Sequence, residues 1–182
     1  MNFKVLKAVH VPSCRFSLRE LNRVKAIIEA YSCEYPDGEG SSCDFYKINE
    51  HIGLKLFRGR TVALRTYHVH RHLFVKAKRS VPYIMGPLMM VRVEGGYTKE
   101  TYADVAYPDG NTLYAYVVQL CKPARRCDED GPIYEKAVKL SLRLYKLVKG
   151  LYPRYAKWVF EDVHSGNFGY LGQRLVWIDF SI

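Results

Sequence analysis

The sequence predicts an α+β fold. Three observations carry this: two segments with apolar residues at helical spacing, a central run of strand and turn signals, and 182 residues with 48% apolar content. A chain of that size and composition can bury a core of its own, and a single domain over residues 1–182 is expected.

The elements follow in order. Ser17-Leu-Arg-Glu20 is a capping-box pattern, and Leu21, Val24, Ile27, Ile28 and Tyr31 continue from it at helical spacing. Pro36-Asp37-Gly38 then breaks the chain into a turn, and residues from Thr61 to about Lys78 read as a second helix. Strands are expected over about Ile84–Val93, Tyr97–Tyr107 and Thr112–Leu120, joined by a Gly95-Gly96 turn and a Pro108-Asp-Gly110 turn. Cys121–Gly131 carries Lys122, Arg125 and Arg126 and then Asp128, Glu129 and Asp130, as a polar connector would. Pro132–Lys149 is a third helix, with Ile133, Ala137, Leu140, Leu144 and Leu147 on one stripe and Gly150 after it. No internal repeat or low-complexity stretch interrupts this pattern.

Four short patterns carry chemistry. Gly38-Glu-Gly40 precedes Cys43-Asp-Phe-Tyr-Lys-Ile48, and two glycines allow a backbone to approach phosphates where side chains would clash. Ile52-Gly-Leu-Lys55-Leu-Phe57 places a lysine within an apolar strand. Asp162-Val-His164-Ser-Gly-Asn167 is followed by an apolar hairpin that ends in Val176-Trp-Ile-Asp179-Phe180. Each pattern alone is weak, since Asp and Asn favour turns for local reasons. Their occurrence together, in this order, is the informative fact.

Together these residues resemble the protein-kinase-like fold: a minimal form, with a β-rich N-lobe and one helix over about 1–120, and a hinge, helix and catalytic loop over about 121–182. The resemblance implies ATP and Mg2+ as cofactors. It would have Asp162 orient the acceptor hydroxyl, Asn167 and Asp179 hold metal, and Lys55 pair with phosphates. Gly38 and Gly40 would form the phosphate loop, and Leu120 and Cys121 would begin the hinge that meets an adenine ring. Phosphoryl transfer asks mainly for positioning and charge stabilisation, so two carboxylates, an amide and a lysine suffice in kind. The D-x-H-x-x-N form is similar to small-molecule phosphotransferases such as aminoglycoside and choline kinases, with His164 bracing the loop. The stretch D-x-H-S-G-N is also similar to the early serine/threonine protein kinases of short-tailed bacteriophages, a resemblance that runs patchily from Gly38 to Phe180. Those kinases modify host proteins, which implies a host protein as acceptor and the host cytoplasm as location.

The sequence departs from the family pattern in three places. Cys43 stands where a third glycine would, which is expected to stiffen the loop at its tip. The helix after Lys55 has no acid to pair with that lysine, which leaves Asp179, Glu20, Glu29, Glu39 or the phosphates themselves. The sequence also ends at Ser181-Ile182, directly after Asp179-Phe180, so either it is a fragment or its acceptor is held by something other than a helical platform.

The net charge is +10. Between His51 and Val93 there is no Asp or Glu, while Lys55, Arg58, Arg60, Arg65, Arg71, Lys76, Lys78, Arg79 and Arg92 fall there. Such a stretch attracts an acidic protein or a nucleic acid, unless it is simply a solvated helix face. His68, His70 and His72 without a nearby carboxylate or thiolate make a poor metal site, and a basic surface is the better reading of them. Cys14, Cys33, Cys43, Cys121 and Cys127 are odd in number and widely spaced, unlike a disulfide or zinc framework, and read as reduced cytosolic thiols. No apolar run approaches a membrane span.

Two functions fit these residues. One is an ATP–Mg2+-dependent phosphotransferase acting on protein serine or threonine. The other is a pseudokinase, a binding module that captures a host protein or nucleic-acid complex through its basic surface.

Overall fold

The computed structural model describes residues 3–11, 16–33, 37–39, 43–94, 112–124, 131–164 and 166–180. Gly40, the Gly95-Gly96 turn, the strand expected at Tyr97–Tyr107, the Pro108-Asp-Gly110 turn, the connector residues 125–130, Cys14, Ser165 and Ser181-Ile182 lie outside them. The chain is α+β, as the sequence predicts, and divides into two compact units: Met1–Leu64 with Met85–Val118, and Arg65–Ile84 with Gln119–Ile182.

The first unit is a sheet with a helix. Its strands are β1 (Phe3–His10), β2 (Ser32–Cys33), β3 (Gly38–Glu39), β4 (Cys43–Lys47), β5 (Ile52–Phe57), β6 (Ile84–Glu94) and β7 (Thr112–Gln119), in the spatial order β2-β1-β6-β7-β5-β4-β3. Helix α1 (Leu18–Glu29) opens with the expected capping box: the Ser17 hydroxyl accepts from the Glu20 N–H, and the Glu20 carboxylate accepts from the Ser17 N–H. Val24 and Ile28 face the core, against Val5, Ala8, Leu54, Leu56, Met89 and Val91. Gly86 lets the helix come close, since a Cβ there would lie 2.6 Å from Val24 Cγ2, and its φ of +68° suits glycine. Strand β1 was not among the expected elements. A bulge between Val5 and Lys7 breaks its two-residue alternation, so the buried Val5 and Ala8 stand three apart.

Asp44 and the half-buried Arg58 form a polar pair in this unit. Asp44 is 1% exposed, and Arg58 Nη2 donates to both of its carboxylate oxygens, at 3.0 and 2.8 Å. Asp44 pairs across the ladder with Leu56, so Arg58, two residues beyond, is its diagonal neighbour on one face.

The second unit is built on helices and a three-stranded sheet. It contains most of α2 (Arg60–Lys76), with α3 (Pro132–Val148), α4 (Pro153–Glu161) and strands β8 (Lys122–Pro123), β9 (Phe168–Leu171) and β10 (Arg174–Trp177). Residues 65–84, which the sequence reading puts with the N-terminal part, group here because Val69, Leu73 and Val81 pack with Leu144, Val159, Trp177 and Phe180. Helix α4 has no counterpart among the expected elements, although Pro153 at its start and the buried Tyr155, Ala156, Val159 and Phe160 form a helical stripe. The β9–β10 hairpin turns on Gly172 and Gln173, with Leu171 opposite Arg174. Gly172 has φ +61° and Gln173 does not have positive φ, the pattern of a type II′ turn. No helix among the described residues is long and apolar enough to cross a membrane.

His68 gives this unit a pH-dependent term. Burial, and then the nearby Arg71 charge, lowers its pKa below the ordinary 6.5. A folded chain therefore resists a proton that an unfolded chain accepts. His68 contributes its full stability above about 6.5, and that contribution is lost as pH falls through the lowered folded value. Urea melts at pH 7.5 and pH 5 are expected to show a smaller midpoint loss for His68→Gln than for the parent.

Candidate functional site

In the second unit, helix α4 ends at Glu161 and Asp162 is its C-cap, with φ −83° and ψ 74°. That conformation stops the helix and turns the chain toward Asn167. The Asn167 side chain then closes the loop: Nδ2 donates to the Asp162 backbone oxygen at 2.6 Å and lies 3.5 Å from Asp162 Oδ2. Because both partners are oxygens, the amide orientation is fixed and Oδ1 is the Asn167 atom turned away from them. The Asn167 backbone oxygen accepts from the N–H groups of Ile178, at 2.8 Å, and Asp179, at 3.4 Å. Three of the expected residues, Asp162, Asn167 and Asp179, are therefore brought together by direct hydrogen bonds.

His164 is joined to the same cluster. Gly166 N–H donates to its Nδ1 at 3.0 Å, which makes Nδ1 the unprotonated nitrogen and leaves Nε2–H, 3.3 Å from Asp162 Oδ2, as donor. The imidazole thus orients the carboxylate. A Cβ at position 166 would lie 2.8 Å from His164 Cε1, so glycine is the residue that leaves the ring in place. Asp162 and His164 are exposed, and Asn167 is buried at 6%. The carboxylate is presented to solvent from a rigid support.

Asp179 is held by its neighbours on both sides. The Trp177 indole N–H donates to the Asp179 backbone oxygen, and the Tyr155 hydroxyl donates to the Phe180 backbone oxygen. Phe180 stacks on His70, with centroids 4.4 Å apart, and His70 Nε2 donates to the Pro82 carbonyl at 3.0 Å. Trp177, Phe180 and His70 are fully buried. The sequence reading missed these supports, apart from the aromatic residues that flank Asp179. His70 accordingly forms no part of a basic surface, and His68 and His72 are half-buried, because α2 packs this face into the core.

The set is suited to a hard cation that keeps other ligands. Among the described residues no group of three or more His, Cys, Asp or Glu could form a protein cage for a metal. Carboxylate and amide oxygens are donors of the kind Mg2+ takes in small number beside water and phosphate oxygens.

In the first unit, Gly38, Phe45 and Lys55 lie in register on β3, β4 and β5. Residues opposite one another share a face, so position 38 stands on the face that carries Lys55, about 10 Å away across two strand spacings. The Phe45 ring between them lies against Gly53, whose missing side chain admits it. Lys55 is 7% exposed. The Asp37 carboxylate accepts from Lys47 N–H, and Asp37 N–H donates to the Phe45 oxygen at 2.8 Å, which fixes the turn before Gly38. Cys43 corrects an expectation. It is the first residue of β4, opposite Phe57, and is buried, so its side chain serves the core and not a loop tip.

The other expected positions are placed as follows. Leu120 and Cys121 follow β7, and both are half-buried. Glu29, one candidate partner for Lys55, accepts from the Ala8 N–H at 2.8 Å, and Glu20 is part of the capping box. Four cations of the basic stretch are engaged within the fold: Lys55 is buried, Arg58 is bound to Asp44, Arg65 lies 5.2 Å from the Tyr155 ring centroid and Arg71 donates to Tyr67. Arg60, Lys76, Lys78, Arg79 and Arg92 are exposed.

No protein-family model and no curated protein matches the chain. Among solved structures it is similar to the streptomycin–ATP–APH(2")-IIa ternary complex, with a TM-score of 0.38 and 12% identity, over 92% of this chain and 71% of that one.

Proposed function

We propose that the chain is an ATP-dependent phosphotransferase, with a serine or threonine hydroxyl of a host protein as acceptor. The observation that carries this reading is the hydrogen-bonded cluster of Asp162, His164, Asn167 and Asp179. Asp162 is its exposed carboxylate, oriented by His164, and is suited to accept the acceptor's proton as the phosphoryl group moves. Asn167 Oδ1 and the Asp179 carboxylate would hold Mg2+, which when bound supplies positive charge against the phosphate oxygens. Lys55 and Gly38 take the phosphate-side roles by resemblance. The choice of a protein acceptor rests on the D-x-H-S-G-N stretch alone.

A pseudokinase is the second reading, favoured by the absence of any Asp or Glu in α2. Metal linkage separates them in part. Asp179→Ala is expected to abolish the increase in ATP affinity that Mg2+ gives, because that carboxylate provides much of the charge that holds the cation. Calorimetric titrations with and without Mg2+ check it, and an undiminished Mg2+ effect in the variant would remove Asp179 from the metal site.

A further inference from the structure

A cavity lies within the second unit, away from the cluster just described. Its volume is about 400 Å³, and its lining includes Phe74, Lys78, Arg79, Tyr83, Gln119 and Arg174. Three of these are cations, and among the described residues no carboxylate lines the cavity. Phe74 and Tyr83 meet edge to face with centroids 5.1 Å apart, and Tyr83 is 44% exposed. Gln119 and Tyr83 are tied by a backbone bond, Gln119 N–H to the Tyr83 oxygen at 2.8 Å, which fixes the ring and the amide in one place.

The β9–β10 hairpin separates this cavity from the transfer cluster. Arg174 and Leu171 stand at its turn, while Asn167 and Asp179 lie beyond its open end. A strand of four residues spans about 13 Å, which sets the two places apart along the hairpin. The local alternative, that these cations serve the fold, covers little of the set. Lys78 sits just after the C-terminus of α2 and 5.9 Å from the Phe74 centroid, so helix dipole and ring account for it. Arg79 and Arg174 are exposed, and neither explanation reaches them.

Cations converging beside an exposed ring, in a space of the size of one nucleotide, are the chemistry of single-stranded nucleic-acid binding, in which phosphates meet the charges and a base stacks on the ring. We propose that this cavity binds phosphate attached to an aromatic base, as one nucleotide of a single strand or as a free mononucleotide. The net charge of +10 would draw such a polyanion to the protein. This inference does not depend on phosphotransferase activity.

The test is fluorescence anisotropy with a labelled oligouridylate, titrated at several salt concentrations against the full chain. Reversal of Lys78, Arg79 and Arg174 to Glu is expected to weaken binding at least tenfold. It should also flatten the salt dependence by about two units of slope, at roughly 0.7 per phosphate contact on a single strand. Tyr83→Ala, which leaves the charge intact, should weaken binding at least about fivefold through lost stacking. Reversal of three exposed cations elsewhere in the unit, Lys146, Lys149 and Lys157, is the control for net charge. Circular-dichroism melts establish that each variant is folded. Uridine monophosphate as competitor distinguishes the sources: displacement assigns a free nucleotide, and its failure beside intact strand binding assigns a strand. The proposal is overturned if the control reversal weakens binding as much as the cavity reversal, if Tyr83→Ala binds as the parent does, or if the cavity takes a phosphoserine peptide and not the strand.

Discussion

Asp162→Asn is expected to lower the rate of phosphoryl transfer by about 10²–10⁴ while leaving nucleotide affinity nearly unchanged. The structure makes this substitution unusually clean. Asn167 Nδ2 donates at 2.6 Å to the Asp162 backbone oxygen, which the variant retains, so the loop keeps its closure. What is removed is the negative charge and proton-accepting capacity of an exposed side chain. The effect should therefore fall on kcat, with KM for ATP little altered. A coupled ATPase or kinase assay together with calorimetric ATP binding measures both quantities. Wild-type turnover in the variant would show that Asp162 does not take part in the reaction.

The second large effect concerns stability. Arg58→Ala is expected to destabilise the protein by about 3 kcal/mol, because it leaves the Asp44 carboxylate buried without its guanidinium partner. At 1% exposure that carboxylate cannot recover the loss through water. For a chain of this length the corresponding fall in Tm is roughly 6–12 °C. Thermal melts check it, and the double variant Asp44→Leu with Arg58→Met supplies the control. Replacing both partners removes the buried charge altogether and should restore much of the lost stability. A double variant as unstable as Arg58→Ala would mean that shape, and not charge pairing, dominates at this position.

What the sequence made legible was largely local. The capping box at Ser17 and Glu20, the middle of the α3 stripe at Ala137, Leu140 and Leu144, and the D-x-H-x-x-N loop all depend on residues within a turn or two of each other, and the structure contains them. Ile133 and Leu147, at the ends of the expected stripe, are exposed, and Val148 is buried instead. The supports of the site were less accessible. The stacking of His70 on Phe180 joins residues far apart in the chain, and the Asp44–Arg58 pair depends on strand register that composition does not encode. Strand β1 was hidden by its bulge, which breaks the period on which strand recognition rests. Part of the basic stretch is taken into the fold for a related reason. An absence of acids along the chain does not prevent an acid from elsewhere, here Asp44, from reaching a cation in space.

The most direct test of the central claim is to follow the label from γ-labelled ATP, with and without Mg2+, using the purified chain and a lysate of candidate acceptor proteins. A working phosphotransferase should move label onto serine or threonine in a Mg2+-dependent way, and Asp162→Asn should stop it while still binding ATP. If the parent protein binds ATP but transfers no label to any acceptor, or if transfer persists unchanged in Asp162→Asn, the account given for this cluster is contradicted.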